Sequence, residues 1–419
     1  MSAVGLLLIA LALLVLRQSV ILILIVAASY IHLVWGDGDL TYLIDDIWTS
    51  VNRDVLLAIP MFVLAGNIMT RGTIAERLIA VMRALTQWLP GGLAVATILS
   101  CAVFAALSGS SPVTLLAVGT VLYPALLENG YDKRFALGAL SSGGTLGVMI
   151  PPSIPMILYG IATETSISDL FLAGVLPGLV LTGALAAYAF AANRQMQRER
   201  FELTALLVAL RRGGFALMTP VILLGGIYSG YFSATEAAAV AVGYALVVEL
   251  AIHRDLRPRD IVGLAVATSR LLGILFPIVA VAISINLLLT AERVPQDMAN
   301  WMTAVVSDRV AFLILLNLFL LVVGCLIDIG SAILILAPLL LPVAMAYGVD
   351  PVHFGVIMVM NLEIGYLTPP IGLNLIVAMT AFREPFLLIC RAVLPFIALM
   401  LAVLALVVWL PGLSLSLLG

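Results

Sequence analysis

Hydrophobic residues in this chain come in long runs. Apolar stretches of roughly 17 to 25 residues follow one another from end to end, each long enough to cross a bilayer as a helix, with short polar loops between them. The pattern predicts an all-α polytopic membrane protein with about 10–12 transmembrane helices, and not a barrel of alternating strands about ten residues long. Met1 to Leu16 is such a run, with no basic stretch before it and no small-residue cleavage site after it. It is expected to be the first membrane helix and not a cleaved signal.

Some of these runs are interrupted in the middle. Ala94 to Leu107 leads into Ser108-Gly109-Ser110-Ser111-Pro112 and then Val113 to Leu127, and Val310 to Leu326 leads into Asp328-Ile329-Gly330-Ser331 and then Ala332 to Met345. Each reads as a re-entrant hairpin, entering and leaving by one face. Gly143 to Ser153 and Glu363 to Asn374 are helices broken by the pairs Pro151-Pro152 and Pro369-Pro370. The interruptions are copies: Asp328 to Pro395 overlays Ser110 to Pro177 at one offset of 218, matching Pro124 with Pro342, Gly130 with Gly348, Asp132 with Asp350, Gly147 with Gly365 and Pro177 with Pro395. Duplicated, Gly/Pro-interrupted apolar segments mark the binding site of a secondary transporter.

Composition and charge sharpen this. With 63% hydrophobic and 10% charged residues and a mean hydropathy of +1.20, the chain lies far from soluble domains, in which about 25% of residues are charged. A net charge of -3 implies no nucleic-acid partner. Cys101, Cys325 and Cys390 are scattered in apolar runs, so no disulfide, metal or redox role is expected. Basic residues gather in loops: Arg71, Arg77 and Arg83; Lys133 and Arg134; Arg194, Arg198, Arg200, Arg211 and Arg212; Arg254, Arg257 and Arg259. Such loops belong on the cytoplasmic side, and the acidic stretch from Gly36 to Asp54 on the outside. The run from Val55 to Thr70 then points inward and its counterpart from Arg270 to Leu289 outward, with Pro60 matching Pro277 at an offset of 217. Two inverted-topology repeats follow, a device that generates alternating access.

Non-helical backbone at bilayer depth survives only where protein buries it or a cavity wets it. Carbonyls ending the first arm of a hairpin can coordinate a cation such as Na+, and the N–H groups opening the second arm, at Ser110-Ser111 or Gly330-Ser331, can hold a carboxylate. The competing reading of Ser-Gly-Ser-Ser is a small-residue packing seam, which the duplication of the break disfavours. Each proline pair frees carbonyls near Gly147 and Leu367, beside Ser153, Thr368 and Asn374, as an alkali-cation cage or as kinks that serve packing alone. Asp328, Asn361 and Glu363 lie in apolar runs where ionisable and polar groups are expensive. Asp328 or Glu363 could charge a cation site or orient a ligand, while Glu363 could also be a helix-end residue.

The runs Gly109-Ser110-Ser111-Pro112 to Asn129-Gly130-Tyr131, Gly147 to Gly160, Asp350 to Gly355, Asn361 to Gly365 and Thr368 to Asn374 closely resemble the large membrane subunit of tripartite ATP-independent periplasmic (TRAP) transporters, and the likeness covers essentially the whole chain. It implies an elevator-type, sodium-coupled importer of small organic anions in the cytoplasmic membrane of a bacterium or archaeon. Its partners would be a small membrane subunit and a periplasmic substrate-binding protein. Carried over by motif, Ser108, Gly109, Ser110, Gly147, Pro151 and Ser153 would shape one Na+ site, and Asp328, Gly330, Thr368, Pro369 and Asn374 another. Ser110, Ser111, Gly330, Ser331 and Asn374 would hold the substrate. One departure is Arg17-Gln18-Ser19, where the resemblance leads one to expect a Gly-Pro type of entry to the second helix.

The expected organisation is 1–53 for N-terminal helices and an outer-face segment, and 54–177 for the first repeat, with hairpin 94–127 and broken helix 135–160. Residues 178–264 would form a scaffold that docks the small subunit, and 265–419 the second repeat, with hairpin 310–346 and broken helix 353–382. Thr41 to Asn52 is either an amphipathic helix on the outer membrane surface or a solvated loop. Among other functions, a stand-alone divalent-anion or citrate symporter remains open, whereas a channel has no use for inverted repeats. An intramembrane enzyme is disfavoured: Gly36-Asp37-Gly38-Asp39 lies in a polar loop, no HExxH occurs, and His32, His253 and His353 are far apart in sequence and read as unclustered. Arg270, Arg383 and Arg391 are the arginines near apolar segments, each equally readable as an anion ligand or as a snorkelling interfacial residue.

Overall fold

A computed structural model describes residues 2–16, 18–35, 40–198 and 200–418. Three helices come first: α1 (Ser2–Val15), α2 (Val20–Val34) and α3 (Thr41–Val51). A first series follows: α4 (Ala58–Arg71), α5 (Ile74–Thr86), α6 (Gly92–Ser108), α7 (Ser111–Glu128), α8 (Lys133–Met149), α9 (Ile154–Thr163) and α10 (Ile167–Ala192). Then come α11 (Leu203–Tyr228), α12 (Ala234–Leu246), a π-helical turn Val247–Ile252 and the long α13 (Pro258–Ala291). A second series completes the chain: α14 (Val294–Val305), α15 (Arg309–Leu326), α16 (Ile329–Ala346), α17 (Pro351–Gly365), α18 (Leu373–Phe382) and α19 (Phe386–Trp409). No strand occurs among the described residues, and ten of the helical segments are long and apolar enough to cross a membrane.

The two series keep step. Shifting α7 by 218 gives the bounds of α16, and the start of α8 shifted likewise is the start of α17. Local chemistry explains the match. Gly130 and Gly348 both take the left-handed conformation, and two residues on, Asp132 and Asp350 cap the next helix. Asp132 Oδ1 accepts the Phe135 N–H at 2.9 Å, and Asp350 Oδ1 accepts those of Val352 and His353 at 2.8 and 3.1 Å. Pro124 and Pro342 sit inside α7 and α16, and the Pro151-Pro152 and Pro369-Pro370 bonds are both cis.

Packing between the series is reciprocal. The hairpin arm α16 packs on α9, and its counterpart α7 packs on α18; α10 and α19 each lie against both α8 and α17. Tyr159 of α9 donates its hydroxyl to the Pro351 carbonyl at 2.7 Å, while beyond the end of α18, Glu384 meets Lys133 at 2.7 Å and accepts from Tyr123 at 2.8 Å. Close approach at equivalent glycines seats each hairpin on its broken helix. A Cβ on Gly147 would stand 2.5 Å from the Ser110 carbonyl oxygen and from Thr114 Oγ1, and one on Gly365 would stand 2.6 Å from the backbone of Gly324.

Several expectations change. The domain boundary at 177 falls inside the continuous helix α10, so the repeating unit runs to Ala192, and the boundary at 264 falls inside α13. Pro177 misleads because a membrane helix absorbs a proline without ending. The expected helix from Met1 to Leu16 is described as α1, from Ser2 to Val15. The loop reading of Thr41 to Asn52 fails, since α3 is a helix with Leu43 and Ser50 buried and Tyr42, Ile44 and Trp48 exposed. Arg17 and Gly36-Asp37-Gly38-Asp39 lie outside the described residues.

Candidate functional site

The tips of the two hairpins, which belong to different series, open into one cleft of about 210 Å³. Ser108, Gly109, Ser110 and Ser111 reach it from the first tip, Asp328 and Gly330 from the second, and its walls are apolar: Val63, Leu158, Leu271, Leu275. Among the described residues, no Lys, Arg or His lines it.

Each tip is shaped by its own bonds. In the first, α6 ends on Gly109 in the left-handed conformation (φ +59°) and Ser110 is extended, its side chain making no cap bond. The Gly109 carbonyl accepts the Ile154 N–H at 3.2 Å, which leaves it a second lone pair, and that of Ser110 accepts both the Thr114 N–H at 3.0 Å and the Ser108 hydroxyl at 3.3 Å. Ser108 and Thr114 hydroxyls meet at 2.6 Å. In the second tip, Asp328 caps α16 by accepting the Ser331 N–H at 2.9 Å, and the Ile329 N–H donates to the Tyr366 hydroxyl at 3.2 Å. The Cys325 carbonyl accepts the N–H of Gly372, the residue that matches Ile154 at the offset of 218, at 3.3 Å.

Ser108, Gly109, Ser110, Ser111, Asp328 and Gly330 thus come together at the cleft, and Ser331 stands beside them, buried, with no partner for its hydroxyl. Asn374 works from behind. Its Nδ2 donates to Ser111 Oγ and, at 3.2 Å, to Glu363 Oε1, so that a buried relay joins the first tip to the second broken helix. All three residues are fully buried, and Glu363 Oε2 and Asn374 Oδ1 have no partner. Gly147, Pro151 and Ser153 do not line the cleft: Gly147 is the seat for the tip, and Ser153 caps α9. Thr368 and Pro369 do not either; Thr368 Oγ1 donates to Ile364 O at 2.9 Å and Pro369 is exposed.

Arg270, Arg383 and Arg391 are exposed and none reaches the cleft. Tyr366 and Thr114 were not picked out from the sequence, although a lone hydroxyl-bearing residue inside an apolar break is a visible signal. The Asn361 amide, already suspect, proves to bond Asn317 Oδ1 at 2.7 Å across α15 and α17. The histidines need correction. His253 lies beside Glu249 and Asp255, and His32 bonds Ser284 at 3.1 Å, which in turn donates to Asp46 at 3.1 Å. Sequence separations as long as 252 residues hid the second group. Serine bridges acid and imidazole there, the wrong order for a nucleophile activated by histidine. The three cysteines are buried and free.

Residues 7–413 match the family model described as tripartite ATP-independent periplasmic transporter, DctM component. The chain is 42% identical over 365 residues to the C4-dicarboxylate TRAP transporter large permease protein DctM of Pseudomonas aeruginosa, covering 86% of each chain. It is 38% identical over 388 residues to the protein of the same name from Rhodobacter capsulatus, covering 88% of each. Among solved structures, the YdaH transporter of Alcanivorax borkumensis superposes with a TM-score of 0.64 at 14% identity, covering 92% of this chain and 91% of that one. That likeness concerns the fold alone.

Proposed function

The chain belongs to the DctM-component family of tripartite ATP-independent periplasmic transporters, and from that premise we propose that it imports a small organic carboxylate together with Na+. It is a transporter and not an enzyme, a multi-pass membrane protein that works with a substrate-binding protein. The finer reading adds the cytoplasmic membrane, a small membrane subunit docked on the α11–α12 scaffold, opposite orientation of the two series and an elevator movement of the hairpins against that scaffold.

One observation carries it: two hairpin tips share a cleft whose polar groups are hydroxyls, carbonyls, helix-opening amides and the single carboxylate of Asp328. A carboxylate substrate arriving there meets Asp328 and no side-chain cation, so the two anions repel in a weakly screened site. Na+ bound by hard oxygens removes the repulsion. The Gly109 and Ser110 carbonyls, the Ser108 and Ser110 hydroxyls and Asp328 suit such an ion, while the Ser111 and Gly330 amides, which open α7 and α16, suit the carboxylate. Coupling is then electrostatic, since each ligand raises the affinity for the other.

Uptake of radiolabelled organic acids into proteoliposomes holding this chain and its small subunit tests the reading. Accumulation should require both the cognate binding protein and an inward Na+ gradient. Equal uptake with K+ in place of Na+, or uptake without the binding protein, would contradict it.

A further inference from the structure

Away from the cleft, at the joint between the α4–α5 turn and the end of α12, the π-helical turn Val247–Ile252 carries Glu249 inward. Turns of this kind insert one residue into a helix and recur at functional sites. Glu249 is fully buried. One carboxylate oxygen accepts the Ile74 N–H at 3.2 Å, and the other has no partner. Its seat depends on a bare backbone, for a Cβ on Gly72 would stand 2.1 Å from the Glu249 carboxylate carbon.

One helical turn on, at a spacing of four, His253 turns its ring to the same place, and neither of its nitrogens, both out of contact with solvent, has a hydrogen-bond partner. Asp255 completes the group: its N–H donates to the Glu249 carbonyl at 3.0 Å, and its carboxylate accepts from Thr73 Oγ1 and from Arg77 at 3.3 Å. One ligand atom from each of Glu249, His253 and Asp255 can be chosen so that all lie within 4.8 Å of one another. Unsatisfied buried polar atoms are rare in folded proteins, and here an unpaired carboxylate oxygen and an unpaired imidazole face one point.

We propose that Glu249, His253 and Asp255 bind a divalent first-row transition ion, for which Zn2+ is the natural probe. One imidazole nitrogen and two carboxylate oxygens make a borderline donor set that suits Zn2+ and its neighbours, whereas Ca2+ and Mg2+ seek six or more oxygens, or octahedral sites rich in water. Three protein ligands leave a fourth position for water. Bonds of about 2.0 Å around a tetrahedral ion would set these atoms, which lie within 4.8 Å of one another, about 3.3 Å apart. Asp255 is exposed and His253 partly so, which gives the ion an entry path. Arg77, held by Asp255 and by Thr73 at 2.8 Å, neutralises part of the acidic charge without filling the space. Because Glu249 also holds the first amide of α5, the ion would stiffen the joint between α5 and the scaffold on the face where Arg254, Arg257 and Arg259 place the cytoplasm.

The test is Zn2+ titration, by calorimetry and elemental analysis, of the detergent-purified chain with its affinity tag removed and its metals stripped by chelator. The wild type should bind one Zn2+ per chain with micromolar or tighter affinity and melt at a higher temperature in its presence. His253→Ala should weaken binding about 100-fold and Asp255→Asn about 10-fold. Should His253→Ala fail to elute as a single species, Asp255→Asn decides. No saturable binding below about 100 µM Zn2+, or one-to-one binding that both substitutions leave unchanged, overturns the proposal.

Discussion

The two helical series share their helix order and most of their backbone devices, and carry different chemistry. At the position that opens the second hairpin arm, the first series has Ser110 and the second, 218 residues on, has Asp328. At the middle of the broken helix, Thr145 of the first series stands where the second has Glu363, and Gly143 where it has Asn361. The first break spans four residues from Ile150 to Ser153 with Pro151, Pro152 and Ser153 buried, whereas the second takes seven, Tyr366 to Gly372, with Pro369, Pro370 and Ile371 exposed. The devices that set backbone geometry were kept: the cap aspartates, the Gly seats and the proline pairs. The groups able to meet a ligand diverged, so one series supplies neutral oxygens and the other supplies charge. A site for a cation and an anion together needs that asymmetry, since two copies of either half would offer two charges or none.

The largest expected effect is at that divergent pair. Asp328→Asn should lower Na+-driven uptake at least about 100-fold, equivalent to about 2.7 kcal/mol, while Ser110→Ala, which leaves the Ser110 carbonyl in place, should cost less than about tenfold, or about 1.4 kcal/mol. Equal losses would dissolve the division of labour between the tips. Next come the glycine seats, where the halves should agree. Gly147→Ala and Gly365→Ala each push a methyl into backbone at 2.5 and 2.6 Å, and overpacking of this kind costs about 1–3 kcal/mol. Thermal unfolding in detergent should show both destabilised. A neutral result at either would mean that its hairpin is not held as described.

Smaller is the relay that ties the halves together. Ser111→Ala and Asn374→Ala should each cost about 1–3 kcal/mol by stranding a buried partner, and the double variant should cost less than their sum. Additive losses would show that the two side chains do not act through each other. The smallest effect is at the surface. Although its partial burial works in the opposite direction, hydrogen bonds from Lys133 and Tyr123 hold the Glu384 carboxyl below its usual range. A carboxylate depressed in the fold adds stability above its unfolded pKa and loses it as pH falls through the folded value. Lys133→Ala should therefore lower stability by less than about 1 kcal/mol at pH 7, and the gap to the wild type should close in acid below about pH 4. A gap that widens in acid would reverse the sign.

Element bounds were largely legible because the punctuation is local. Asp132 and Asp350 as caps, Gly130 and Gly348 as turns, and the proline pairs act within a few residues of themselves, so the two hairpins and two broken helices fall within a few residues of where the sequence puts them. The limits of the larger units were not legible, since Pro177 marks the middle of α10 and not its end. Half of the site was visible as well: duplication pointed to both tips, but nothing local says that tips 218 residues apart share one cleft, or that the Tyr366 hydroxyl takes the Ile329 amide. Asn374 was named both with Ser111 and with Thr368 and Pro369, and it is Ser111 that its amide bonds, because a side chain between two helices can face either. Thr368 and Pro369 were named beside the tips and lie outside the cleft that the tips share.

The central claim is that Asp328, opposite a hydroxyl-rich tip, makes the shared cleft a Na+ site. Its most direct test is the melting temperature of the purified chain titrated with NaCl against KCl at constant ionic strength, for the wild type and Asp328→Asn. The account predicts saturable stabilisation of the wild type by Na+ alone, absent in Asp328→Asn. Identical curves for the two salts, or a Na+ response that Asp328→Asn retains in full, would contradict it.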